Sequence, residues 1–193
     1  MEIMAFLSAM KKELREVNYG DFHVNLAQLS DNYYHNADAA ILADRSIAAA
    51  EMNDLFCRME KKADPMAIIE RRFLRGLVEF AQTGNPPLKC RSLDASLFMD
   101  SWGNVYPSIM WNYKIGNIRD TDYGLEKLWN GELAAEARSM IGSSRDPKHW
   151  TSCEAYQSII GSAVLPIKRH PRPDITDVDG QSNAHVQNEL RNT

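Results

Sequence analysis

Residues 83–87, with the sequence TGNPP, divide the chain into two parts whose hydrophobic patterns differ. Before them, apolar residues recur at helical spacing over residues 2–18, over residues 39–62 and onward from Pro65. After them, SLFMD, a turn at SWGN and VYPSIMW predict a β-hairpin, with helical segments following. Helical patterns before this stretch and a hairpin after it predict an α+β fold. Glycine and proline end a helix, so the internal boundary is expected at residues 86/87.

One short stretch of the first part breaks its helical pattern. Phe22, Val24 and Leu26 alternate with polar or small residues, which predicts a strand. Pro65 directly follows Asp64, and this pair predicts the N-cap and first position of a helix. Residues 166–193 contain few large apolar residues and several prolines, so we expect a flexible tail there.

The composition excludes several classes of protein. Of 193 residues, 44% are hydrophobic and 25% are charged, which is typical of soluble domains. A net charge of -4 argues against a strongly basic surface for nucleic acid, though not against a local basic patch, and no apolar run approaches the ~20 residues of a membrane span. The N-terminus does not resemble a signal peptide, and three scattered cysteines cannot form a disulfide framework. We therefore expect a cytoplasmic protein without nucleic-acid or membrane partners.

Sequence motifs for common enzyme chemistry are absent. The chain has no P-loop, no G-x-G-x-x-G, no H-E-x-x-H and no G-x-S-x-G. Its five histidines form no sequence-local triad with a nucleophile. A serine or cysteine hydrolase therefore has no support from the sequence.

Three segments of the second part do form a pattern. They are Cys90, Gly103 and Ser108 in the spacing C-x12-G-x4-S, then IGNIRDTDYGLEKLWN at residues 115–130, and HWTSCEAYQS at residues 149–158. A hairpin brings the residues on either side of its turn together, and glycine allows the turn. His149 and Cys153 are four residues apart and can share one face at the start of a helix.

In order and spacing these segments resemble the SPASM/twitch region that follows the catalytic barrel of many radical S-adenosylmethionine (radical SAM) enzymes. Residues 21–36 are similar to a late strand and loop of the partial barrel itself. The resemblance implies the end of a partial barrel and linker helices at 1–86, a SPASM/twitch-like module at 87–165 and the tail at 166–193. It also implies the C-terminal portion of an iron–sulfur oxidoreductase-type enzyme. An auxiliary 4Fe-4S site in such an enzyme anchors a substrate, often a peptide, or relays an electron.

By this resemblance the metal ligands are Cys90 and Cys153, with His149 and Ser108 standing where the family usually has cysteine. The site is then an altered cluster or one that has lost its cluster, and two Cys with one His would also suit zinc. The C-x3-C-x2-C triad needed to cleave S-adenosylmethionine is absent. We therefore expect either a fragment of a longer enzyme or a partner of a separate radical SAM core chain, and S-adenosylmethionine would bind only with such a core.

A second hypothesis comes from another functional class. The chain would be a non-catalytic binding or interaction module that keeps the fold and holds zinc or no metal.

The third cysteine, Cys57, lies among Leu55, Phe56 and Met59, so we expect it to be a buried structural thiol. The four tryptophans are expected to pack in the core or against the hairpin.

Overall fold

The computed structural model describes residues 3–30, 34–36 and 44–164. The helices are α1 (Ile3–Glu13), α2 (Arg45–Arg58), α3 (Pro65–Thr83), α4 (Leu125–Trp129), α5 (Glu132–Met140) and α6 (Ser152–Val164). Short 3₁₀ turns lie at Tyr19–Asp21 and Ile118–Thr121, and three short strands are β1 (Phe98–Met99), β2 (Asn104–Tyr106) and β3 (Gly116–Asn117). This arrangement confirms the α+β class.

Local capping residues set the ends of α2 and α3. The Asp44 carboxylate accepts hydrogen bonds from the backbone of residues 46 and 47, and Asp64 accepts one from Ala67 with Pro65 at the first helical position. Gly84 ends α3 in the left-handed conformation, with φ of 71°. Both the predicted start at Asp64–Pro65 and the predicted stop in TGNPP are confirmed. Helix α1 is shorter than the predicted span of residues 2–18, and residues 39–43 of the second predicted helix lie outside the described residues.

The strands form one small antiparallel sheet in the order β1-β2-β3. Phe98 pairs with Tyr106, which confirms the predicted hairpin, and Gly103 in its turn has φ of 82°. The third strand lies on the far side of β2, where Gly116 of β3 pairs with Val105. Two residues of pairing are too few to leave an alternating pattern in the sequence.

The larger of two hydrophobic cores lies between α1, α2, α3 and α6. The indole of Trp150 belongs to this core, and its Nε1 donates a hydrogen bond of 3.0 Å to the Phe73 carbonyl. Gly76 of α3 lies directly under this ring. Ala155 and Ile159 of α6 also belong to this core, so a helix from after residue 87 packs on helices from before it.

The smaller core lies beneath the hairpin. Leu93 and Val105 are fully buried against Ala134 and Ala137 of α5. The helical stretch over residues 125–140 is broken at Gly131, because α4 ends before this glycine and α5 begins after it. The break lets α5 turn toward the hairpin.

Residues 22–30 are extended but do not belong to the sheet. Phe22, Val24 and Leu26 pack on the larger core, whereas the residues between them are exposed. The Gln28 side chain accepts a hydrogen bond from the Trp150 backbone N–H at 2.9 Å and donates one to the Trp150 carbonyl at 3.1 Å. The predicted alternation is therefore present, but the predicted strand is not, because residues 22–30 pair with no strand among the described residues.

Two expectations about single side chains are wrong. Cys57 is exposed, because Met52 and Leu55 form the buried face of α2 and Cys57 lies on the other side. Trp102 at the hairpin turn is 70% exposed, although Trp111 and Trp150 are buried as expected. The predicted tail at 166–193 lies outside the described residues. Within the described ranges, no helix has the length and hydropathy to cross a membrane.

Candidate functional site

A buried carboxylate, that of Glu154 in the first turn of α6, is contacted by two other segments of the chain. Ser92 and Ser96 each donate from Oγ to Glu154 Oε2 at 3.4 Å. From the end of the hairpin, the Ile109 backbone N–H donates to Oε1, also at 3.4 Å. We call Cys90, Ser92, Ser96, Ile109 and Glu154 the Glu154 cluster. Two of the three segments of the sequence motif meet there, the one that starts at Cys90 and the one at residues 149–158, whereas residues 115–130 contribute no member of the cluster.

A tight loop at residues 90–96 presents Cys90 and both serines to the carboxylate. The Arg91 carbonyl accepts hydrogen bonds from the N–H groups of residues 94 and 95, and Leu93 donates from its N–H to the Ser96 carbonyl at 2.7 Å. Leu93 adopts a left-handed backbone with φ of 61°, while its side chain is fully buried in the smaller core. Burial of Leu93 holds this strained turn in place.

Burial determines the protonation of this cluster. It raises the pKa of Glu154 above its usual value, against the opposing charge of His149. It raises the pKa of Cys90 to about 11, and the charges of Asp146 and Glu154 add to the rise. Cys90 Sγ lies 3.0 Å from Ser92 Oγ, so a protonated thiol can donate to Ser92 while Ser92 donates to Glu154. Cys90 is therefore a neutral thiol at physiological pH and a weak nucleophile.

A small cavity adjoins the cluster. Cys90, Asp146, His149 and Glu154 line it, and its volume of about 10 Å³ leaves room for roughly one water molecule. His149 Nδ1 donates to the Pro147 carbonyl at 2.7 Å when the ring is neutral, which leaves Nε2 as the acceptor. Asp146 Oδ1 is buried and makes no hydrogen bond within the described chain. The cavity thus combines a thiol, an imidazole and two carboxylates.

The structure separates the four predicted metal ligands. Cys90 and His149 line the cavity, but Cys153 is exposed and does not line it. Ser108 is fully buried, and its Oγ accepts a hydrogen bond of 3.2 Å from the Met110 N–H. A 4Fe-4S cluster takes about four thiolates, and the cavity has the volume of about one water molecule, so this arrangement does not fit a cluster.

Across the described ranges 3–30, 34–36 and 44–164, no group of three or more His, Cys, Asp or Glu side chains is placed to hold a metal ion. Metal ligation by Cys90, Cys153, His149 and Ser108 therefore stays a prediction. His149 and Cys153 do not share a helical face, because α6 begins only at Ser152.

Sequence reasoning missed Glu154, the residue at the centre of the cluster. A signal for it does exist, since Glu154, Ser158 and Gly161 fall three to four residues apart on one face of α6, and all three are buried. A carboxylate on a face of small buried residues indicates a buried polar contact.

A second polar group, also unforeseen, joins α3, α6 and the extended segment. Glu70 contacts His23 Nδ1 at 2.8 Å and accepts a hydrogen bond from the Tyr156 hydroxyl. The His23 ring stacks on Phe73 with ring centroids 5.4 Å apart. Burial raises the pKa of Tyr156, and the hydrogen bond to Glu70 adds to the rise. Cys153 lies three residues before Tyr156 in α6 and therefore on the same side of that helix.

No family model, curated protein or solved structure matches this chain. Functional assignment therefore depends on the geometry described above and on the motif.

Proposed function

We propose that this chain is a degenerate auxiliary-site module of the radical SAM type that acts by binding or interaction rather than by catalysis. Its Glu154 cluster would replace a metal cluster with hydrogen bonds. The partners that fit this role are a peptide or protein substrate and a separate radical SAM core chain in the cytoplasm.

One observation carries the proposal. The Glu154 carboxylate accepts hydrogen bonds from the loop after Cys90 and from the residue after Ser108, and it lies in the helix that follows His149. Segments that would surround a cluster therefore meet at one buried carboxylate. A carboxylate satisfied by three donors can hold such segments together without a metal.

The state of each predicted ligand supports the metal-free version. The Cys90 thiol is half-buried and keeps its proton, so a metal would first have to displace that proton. Ser108 Oγ already accepts a hydrogen bond from the Met110 N–H within its own turn. Cys153 is exposed and lies on the Tyr156 side of α6.

A second candidate keeps a metal at this site. Cys90 and His149 share the cavity, and with Cys153 or Ser108 they would supply ligands for zinc or for an altered 4Fe-4S cluster. This version requires α6 to turn so that Cys153 approaches Cys90.

Metal analysis separates the two candidates. Protein is produced anaerobically with iron, sulfide and zinc, and its metal content and absorption spectrum are measured. We expect colourless protein with metal far below one equivalent, and no change in Cys90→Ser. A broad band near ~400 nm that disappears in Cys90→Ser but persists in Cys57→Ala would refute the metal-free version.

Ser108→Cys tests the motif itself. A thiolate is a better iron ligand than a hydroxyl, so this variant should raise iron content if the site descends from a cluster. Cys57→Ser serves as the matched control, since Cys57 is exposed and distant in sequence from the motif. A folded Ser108→Cys protein with unchanged iron content would count against the radical SAM resemblance.

A further inference from the structure

The extended segment 22–30 has the form of a β-strand without a partner. Its residues alternate between half-buried and exposed positions from Asp21 to Leu29. Contacts to the larger core, to Glu70 and to Trp150 hold it against the helices. The segment is thus a strand held in place by its side chains.

The two backbone edges of this strand differ. In an extended chain, the N–H and C=O groups of alternate residues point to opposite edges. On the even-numbered edge, side-chain amides bond the backbone: Gln28 donates to the Leu26 carbonyl at 3.5 Å, and Asn36 donates to the Gln28 carbonyl at 3.1 Å. This edge is partly closed by the chain itself.

The odd-numbered edge is open. Within the part of the chain that the structure describes, the backbone groups of His23, Asn25 and Ala27 make no hydrogen bond. All three residues are exposed. A row of free donors and acceptors at strand spacing is the template onto which another extended chain adds.

An apolar groove lies beside the start of this strand. Ile3, Phe6 and Leu7 of α1 line it together with residues Phe22, His23, Val24 and Asn25, and its volume is about 430 Å³. Phe6 is 48% exposed. Apolar side chains at alternate positions of an added strand would fill this groove while its backbone bonds the open edge.

We propose that residues 22–29 form a docking edge for an extended segment of another polypeptide, one with apolar side chains at alternate positions. This inference is independent of whether the Glu154 cluster ever held metal. The open edge requires a partner with its own backbone donors and acceptors, which a small apolar ligand lacks. A second copy of this chain fits less well, since its own Phe22, Val24 and Leu26 are packed in its core and could not fill the groove.

The probe is the peptide KTVTVTVK, and the control peptide KTTTVVVK has the same composition without alternation. Binding is measured by calorimetry, and amide hydrogen exchange is followed at residues 23–27. We expect the alternating peptide to bind more tightly and to slow exchange at the odd-numbered amides. Equal binding of both peptides, or no binding, overturns the proposal.

A matched pair of variants tests the backbone contact. Asn25→Pro removes one N–H from the open edge and suits an extended backbone, whereas Asn25→Ala removes only the side chain. Losing one hydrogen bond should weaken peptide binding by about fivefold in Asn25→Pro relative to Asn25→Ala. Thermal melting confirms that both variants are folded. Equal peptide affinities of the two variants overturn the proposed edge. If the wild type instead forms a dimer and Asn25→Pro abolishes that dimer, the partner is a second copy of this chain and the proposed partner is wrong.

Discussion

Replacing Gly76 by alanine tests how tightly α3 packs on Trp150. A methyl group at this position would lie 2.6 Å from Trp150 Cζ2 and 2.8 Å from Nε1, well inside van der Waals contact. The indole cannot move freely, because its Nε1 bonds the Phe73 carbonyl and its backbone bonds Gln28. The substitution therefore forces either α3 or the ring to shift.

Three opposing contributions give the expected magnitude. Alanine in a helix interior is favoured over glycine by about 0.8–1.0 kcal/mol. Overpacking a core costs about 1–3 kcal/mol, and loss of the hydrogen bond to Phe73 costs about 1 kcal/mol. We expect Gly76→Ala to lower the free energy of unfolding by about 2 kcal/mol, given these terms.

Urea denaturation followed by circular dichroism measures this change, and Trp150→Phe supplies the control. The smaller ring removes the atoms that the new methyl would meet, so Gly76→Ala in that background should be neutral or stabilising by up to about 1 kcal/mol. The double-mutant cycle should then give a coupling of about 2–3 kcal/mol. A Gly76→Ala protein more stable than wild type would refute this packing.

Two further predictions concern the Glu154 cluster. Burial raises the pKa of Glu154 in the folded protein above its value in the unfolded chain, ~4.3. The protonated carboxyl therefore stabilises the fold fully only below this unfolded pKa. As pH rises through the folded pKa, this contribution to stability is lost. Glu154→Gln should therefore gain stability relative to wild type as pH is raised in urea titrations, and a pH-independent difference would contradict the assignment. For the thiols, mass spectrometry after brief iodoacetamide treatment at neutral pH should find Cys57 and Cys153 modified well before Cys90, because both are exposed while the pKa of Cys90 is about 11. Preferential labelling of Cys90 would mean that it is ionised.

Side chains that act within their own turn made the helix boundaries predictable. Asp64 and Pro65 start α3, and Gly84 ends it, through contacts within a few residues. The hairpin was equally predictable from the sequence, since its two strands adjoin one turn. By contrast, β3 pairs across ten residues or more and leaves no alternating pattern.

The candidate site was only partly predictable for the same reason. The motif identified two segments that meet at Glu154, but not Glu154 itself or the exposure of Cys153. Which face of a helix is buried depends on its neighbours in space. Cys57 shows this well: it lies about 200° around α2 from Leu55, so burial of one residue exposes the other.

The amino-acid sequence alone determined the α+β class, the helix ends and the hairpin, because these depend on residues close together in the chain. Only the tertiary structure decided that Glu154 is buried among donors, that Cys153 is exposed and does not line the cavity beside Cys90, and that one edge of residues 22–29 stays open. Those outcomes depend on contacts between residues far apart in sequence, and no local sequence pattern predicts which distant groups will be in contact.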